Sequence, residues 1–340
     1  MISLQEDSRH KSLHIGTNLY FPIETTFKKK NNMASKNFVV TGLPDYVQNN
    51  KDLLVKNFGL VGGATRQRIS IQTGIKGSAA LEYLEVDPVF QDGKECTFNA
   101  DGSVTLSERI IDTAMIKVDM EICPRTLRRK YAEYLIRINA TEQDLPFEKY
   151  FVDGLIAEIN KKNEILMWQG DTSLTTDNVR KWYNGFLKLA NTEADVIDVA
   201  IEASASAYDA ILAVYEEMTE DALDRGGEIY VSPALYRKFM MEMVAKNFYH
   251  YPGAVEAAPA EFFLPGSDVK VVKMYGLTGT KKILGTFPKN LFYGCDMEGD
   301  EEDIDLWYSQ DDRVYKAEVL WNGGVQFAYP DHVTLGTIAG

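Results

Sequence analysis

Apolar and polar residues alternate strictly in "MIKVDMEI", where Ile116, Val118, Met120 and Ile122 interleave with Lys117, Asp119 and Glu121. A period of two predicts a strand with one buried face. "RISIQT" and "ECTFNADGSVTLSERI" are β-type as well, with Asn99-Ala100-Asp101-Gly102 as a turn signal because Asp-Gly tolerates positive φ. Between them "TGIKGSAALEYLEVDPVFQDGK" is glycine-spaced and charged, the pattern of an extended excursion and not of a core.

The period then changes. Pro124 opens one helix, "RTLRRKYAEYLIRI", and Pro146 opens a longer one through Trp168 with Phe147, Phe151, Leu155 and Ile159 in one i,i+4 stripe. At ~1.5 Å per residue that helix runs roughly 35 Å, and Gly170 is its natural stop. Tyr208, Ile211, Leu212, Tyr215 and Met218 mark another helix. "EIYVSPALYRKFMMEMVAKN" predicts a strand, a Ser232 cap, Pro233 at the first helical position, and a helix turning Leu235, Phe239 and Met243 inward. The last third returns to strands: "VKVVKMYGL", "KKILGTF", "NLFYGCDM", "DIDLWYS", "RVYKAEVLW" and "VQFAYP". At the other end, residues 37–58 suggest an arm with one short helix, and "GLVGGA" loosens the chain after it. The whole is α+β.

Composition adds bounds. A chain of 340 residues, 45% hydrophobic and 25% charged, is long enough for a real core. Lys and Arg number 36 against 50 Asp and Glu, a net charge of -14, so the protein as a whole repels nucleic acid and anionic membranes. Cys96, Cys123 and Cys295 form no CxxC pair and fit a reducing interior as small buried hydrophobes. No apolar run is long enough to span a bilayer, and the N-terminus has no apolar signal region. Residues 1–32 end in a Lys-Lys-Lys-Asn-Asn tract before Met33. The tract reads either as a translated A-rich leader before a start at Met33 or as a disordered basic tail.

Chemistry is scarce. His250 and His332 stand outside any HExxH pattern, and neither GxSxG nor GxGxxG occurs. "GLTGTKK" at 276–282 fails the phosphate-loop pattern and reads as a hairpin loop. The acidic stretch 296–305 fails as an EF-hand, since Glu301 stands where glycine is needed and Trp307 where glutamate is. It reads as the solvated tip of a hairpin, with Asp296, Glu298 and Asp300 as weak metal candidates.

The order of parts is itself a signal. "RISIQTGIKGSAALEYL" through "CTFNADGSVTLSERIIDTAMIKVDMEICPRTL", the helix "PFEKYFVDGLIAEINKKNEILMWQGDT", "IYVSPALYRKF" and the strand-rich ending from Pro288 together resemble the major capsid proteins of tailed bacteriophages. The resemblance covers nearly all of residues 33–340 and implies the HK97-like capsid fold, shared with encapsulins. It assigns an N-terminal arm at 33–62 and an extended β-hairpin E-loop at 64–112. It places a peripheral domain at 113–171 and 289–340, with a spine helix about 146–169, and an axial domain at 172–288. It implies a non-enzymatic protein without cofactors that assembles with itself, through hexamers and pentamers, into an icosahedral shell around double-stranded DNA. The DNA would be held loosely and without sequence specificity. Separate scaffold, portal and cement proteins are implied partners, with the virion, assembled in the host bacterial cytoplasm, as location and no membrane role. An encapsulin-like nanocompartment and a calcium-dependent binding protein are the alternatives. Leu81, Tyr83, Leu84 and Phe90 are the apolar candidates for subunit contacts, and Arg66, Arg68, Lys76 and Lys94 the basic ones, facing acids at 296–305.

Overall fold

The computed structural model describes residues 63–91, 101–123, 147–246, 261–296 and 303–339. A one-turn helix α1 (Gly63–Arg66) and a short strand β1 (Ser70–Gln72) lead into β2 (Ser78–Pro88) and β3 (Gly102–Asp112), which pair antiparallel along their full length. β4 (Ala114–Ile122) comes next, and then α2 (Phe147–Gln169), the long helix expected from Pro146.

One sheet is organised by a single late strand. β12 (Val314–Phe327) is flanked over its first two thirds by β4 and by β11 (Asp303–Ser309), so that Val319 lies opposite both Val118 and Ile304. β10 (Leu291–Gly294) pairs with its last four residues, and β1 extends the sheet by lying parallel to β10. The alternation read at Ile116, Val118 and Met120 is present, but burial fades along it from 3% exposure at Ile116 to 40% at Met120. The half-covered end borders a cavity of about 450 Å³ between β4 and α2.

Three expectations fail here. "RVYKAEVLW" and "VQFAYP" are one strand, crossing Asn322-Gly323-Gly324 without a turn. The two glycines make room: a Cβ at Gly323 would strike the Tyr293 hydroxyl, and one at Gly324 the Asp112 carbonyl. The acidic stretch does not sit between strands paired with each other, because β10 and β11 each pair with β12, at successive positions along it. Third, "GLTGTKK" is not a hairpin loop. It links β8 (Lys270–Lys273) to β9 (Lys282–Thr286), and β6 (Glu228–Val231) lies between them, parallel to β8 and antiparallel to β9.

β6, β8 and β9 belong to a second sheet, completed by β5 (Ile197–Ile201), β7 (Glu261–Phe263) and β13 (Thr334–Ile338) in the order β5-β13-β9-β6-β8-β7. Between α2 and β5 lies the short α3 (Phe186–Thr192). α4 (Ala207–Glu216), the one-turn α5 (Glu220–Asp224) and α6 (Pro233–Ala245) follow β5. α4 and α6 pack on the second sheet around Ile211, Val214, Ile229, Phe239, Met243 and Ile283. Ser232 caps α6 as expected, its hydroxyl accepting from Leu235 N, with Pro233 at the first position.

The apolar stripe of the long helix is buried at Ile159 and half-covered at Leu155. The helix also buries Val152, Ile156, Asn160, Asn163, Glu164, Leu166, Met167 and Trp168. Glu164 is inside because α1 meets it. Trp168 Nε1 donates to Thr65 Oγ1 at 2.8 Å, and that hydroxyl donates to Glu164 Oε1 at 2.9 Å. Trp168 is fully buried against Phe186 and Tyr230, and Gly276 presses its backbone on the indole where a Cβ would clash. Gln169 closes the junction by donating to the carbonyls of Gly276, at 2.5 Å, and Thr278, at 3.0 Å.

Burial pushes the Glu164 carboxyl above its usual range, against an opposing pull from the Thr65 hydrogen bonds. The folded chain then keeps this proton to higher pH than the unfolded chain. Stability on this account falls as pH rises through the interval between the two pKa values, and stays reduced above it. Glu164→Gln, which cannot ionise, is expected to gain in melting temperature relative to the wild type as pH rises above the usual carboxylate range. A difference that does not change with pH would show that the carboxyl does not titrate differently on folding.

Candidate assembly surface

The ribbon of β2 and β3 presents two faces of opposite character. Cross-strand partners share a face. One face is therefore built from Leu81 opposite Arg109, Tyr83 opposite Ser107 and Ala79 opposite Ile111. Its base is tied to the body. Ile111 and Leu81 pack with Ile75 and Phe292, and Gly294 lets Ile111 and Ile75 approach where a Cβ would stand 2.7 and 2.8 Å from their Cδ1 atoms. The Tyr83 ring meets that of Tyr329 edge-on at 5.2 Å, Arg109 pairs with Glu193 at 2.5 Å, and Gln326 Nε2 donates to the Ile110 carbonyl at 2.8 Å.

The opposite face is exposed among the described residues. Leu84 faces Leu106, Val86 faces Val104, and Ile110 stands at the same side nearer the base. These five are exposed, Leu106 by 67% and Leu84 by 56%. Within this apolar row Glu82 lies directly opposite Glu108, a like-charged pair that weakens a ribbon standing alone. Two strands without a third, and with an uncovered apolar face, are marginal in water.

This arrangement of ribbon, long helix and two sheets has counterparts. No protein-family model matches the sequence, and no curated protein matches it either. Solved structures do match. A chain of the satellite phage P4 procapsid that includes the size determination protein aligns with a TM-score of 0.55 at 11% identity, over 87% of this chain and all of that one. Gordonia phage Cozz gives 0.56 at 12% identity, over 82% and 87%. The capsid of an empty GTA particle gives 0.51 at 9%, over 82% and 90%. The chain has an HK97-like capsid fold.

Within that capsid fold the residues singled out from sequence are scattered. Leu81 is buried in the foot of the ribbon and Tyr83 is half-buried on Tyr329, so both serve contacts inside the subunit, while Leu84 and Phe90 are exposed, Phe90 by 97%. Arg66 is buried with its guanidinium 4.4 Å above the Tyr293 ring, and Arg68 pairs with Glu228 at 2.8 Å. Lys76 is exposed near the foot of the ribbon, and Lys94 lies outside the described residues. Of the weak metal candidates only Asp296 is described, its backbone carbonyl accepting from Gly74 N. No group of three or more His, Cys, Asp or Glu side chains converges among the described residues. His332 is committed to packing, against Phe287 and Tyr329, with Thr219 Oγ1 at 3.0 Å from its Nδ1, and His250 lies outside the described residues. Cys295 is buried as expected, Cys123 is exposed, and Cys96 is outside the described residues. Sequence reading passed over Val86, Val104, Leu106 and Ile110, although the alternation in "LEYLEV" and "SVTLSERII" carries them.

The two faces should respond differently to substitution. Ile111→Ala is expected to cost about 2–5 kcal/mol in urea unfolding, whereas Leu106→Ser changes the isolated subunit by within about 0.5 kcal/mol. Equal losses at both positions would mean that the outer face is covered within the chain.

Proposed function

We propose that this chain is the major capsid protein of a tailed phage or prophage, associating through hexamers and pentamers into an icosahedral shell around double-stranded DNA. The observation that carries the reading is the apolar face of the ribbon that no described part of the chain covers, a surface suited to a neighbouring subunit. On this reading residues 64–112 are the E-loop and 33–62 the N-terminal arm, both lying over neighbouring subunits. Helix α2 is the spine, within a peripheral domain of 113–171 and 289–340, and 172–288 form the axial domain. Glu82 and Glu108 then call for a cation on the covering surface.

The net charge of -14 supports a shell wall that holds DNA loosely and without sequence preference. Assembly is the protein's task on this reading, and no catalytic residue or cofactor is assigned. A separate scaffold, a portal and cement proteins are candidate partners for this role. Matches with TM-scores above 0.5 include phage, procapsid and GTA particles, which favours a genome shell over a nanocompartment.

Negative-stain microscopy of the full chain expressed in bacterial cytoplasm is expected to show rings or closed shells. Leu84→Glu with Leu106→Glu should abolish the shells while leaving the subunit folded by circular dichroism. Wild-type protein that stays monomeric at high concentration would refute the assembly reading, and shells persisting in the double variant would remove the ribbon from it.

A further inference from the structure

Helix α6 has an outward face that no described part of the chain covers. Tyr236, Phe239, Met240 and Met243 turn into the core. Ala234, Arg237, Lys238, Met241 and Val244 turn out, spaced by three and four so that they form one stripe. Met241 is 72% exposed and Val244 54%. Among the described residues Arg237 and Lys238 make no ion pair. Their neighbours on the same helix are occupied. Glu242 accepts from the backbone N–H groups of Ala207 and Tyr208 at 3.0 and 2.7 Å, fixing the start of α4, and Lys246 lies 3.7 Å from Asp209 and over the Tyr208 ring.

A complementary surface stands at the far end of α4, about 15 Å along that helix from the Glu242 contact. Glu216, Glu217, Glu220, Asp221 and Asp224 are all exposed there, and none is in an ion pair among the described residues. Leu223 is half-buried between them. Arg225, next to Asp224, is turned onto the Phe287 and Tyr329 rings, 5.3 and 5.4 Å from their centroids. Glu216 and Glu217 also sit at the C-terminal end of α4, which has no basic residue in its last turn. Negative charge is disfavoured at that end by the helix dipole. Within one subunit the arrangement is a net cost, and a cation arriving from outside reverses it.

We propose that the α6 stripe of one copy docks on the acidic corner of α4 and α5 of a second copy. Arg237 and Lys238 face the carboxylates, and Met241 covers Leu223. The two surfaces differ, so the contact is heterologous, and its repetition about an axis closes a ring instead of stopping at a dimer. The inference rests on the shell-forming reading and adds which faces of the second-sheet body meet.

Charge reversal tests it, read by native mass spectrometry and microscopy on the full chain. Arg237→Glu with Lys238→Glu, and separately Glu216→Lys with Glu217→Lys, are each expected to need at least about tenfold more protein to form rings. The second pair places cations at the end of α4 that favours them, so its melting temperature should not fall, and lost assembly cannot be blamed on unfolding. A chain carrying all four changes restores opposite charges across the contact and should recover assembly. Either pair assembling like the wild type, or the fourfold variant folding without recovery, overturns the proposal and leaves the shell reading intact. A wild type that forms no ring defeats both.

Discussion

A ribbon of two strands has two faces and two edges, and the described residues cover only the lower part of one face. That shortage organises the rest. Leu81 and Ile111 enter the subunit at the ribbon's foot, where Gly294 leaves space for Ile111, and Gln326 holds the carbonyl of Ile110 from β12. β12 is also the strand on which β4, β10 and β11 all pair. The ribbon is thus cantilevered from the most heavily paired strand of the first sheet, where bending it away would break ladder and side-chain contacts together. Gly323 and Gly324 permit the close approach, since side chains there would push Tyr293 and Asp112 away from β12.

The second joint couples α1, which leads into the ribbon, to the long helix and the second sheet. Thr65 stands between Trp168 and Glu164, accepting from one and donating to the other. A hydroxyl used in both directions fixes the relative position of the two helices more tightly than apolar packing, because a buried donor or acceptor left without its partner costs about 1–3 kcal/mol. Arg66 and Arg68 extend the joint to Tyr293 in the first sheet and Glu228 in the second. Movement of the segment before the ribbon is therefore felt by both sheets.

Much of the architecture was readable because it depends on local pattern. The alternation at 116–122, the cap at Ser232 and the helix after Pro146 require only neighbours in sequence. Errors arose where a distant segment decides. Asn322-Gly323-Gly324 has the text of a turn, and it stays in a strand because Tyr293 and Asp112 occupy the space that side chains would take. The strands around "GLTGTKK" look like a hairpin until β6, about forty residues earlier in the chain, inserts between them. Arg66 reads as a surface charge, and a stack on Tyr293 buries it. The candidate surface was half legible for a related reason: Leu81 and Leu84 are three apart and fall on opposite faces of a strand, but which face meets the body depends on Ile75, Phe292 and Tyr329.

What the structure leaves exposed is more informative than what it buries. Val86, Val104 and Leu106 on an isolated ribbon, and Met241 and Val244 on α6, are liabilities for a chain that stays alone, because uncovered apolar rows and strand edges invite unspecific association. Each row carries charge with it, Glu82 and Glu108 on the ribbon and Arg237 and Lys238 on the helix. Charge of one sign repels a second copy presenting the same face and admits one presenting a complementary face. The apolar residues supply area, the charges choose the orientation, and a net charge of -14 keeps subunits apart until the orientation is right. An assembly that must close on itself needs this selectivity more than it needs affinity, since one contact made in the wrong orientation propagates into an aggregate in place of a shell.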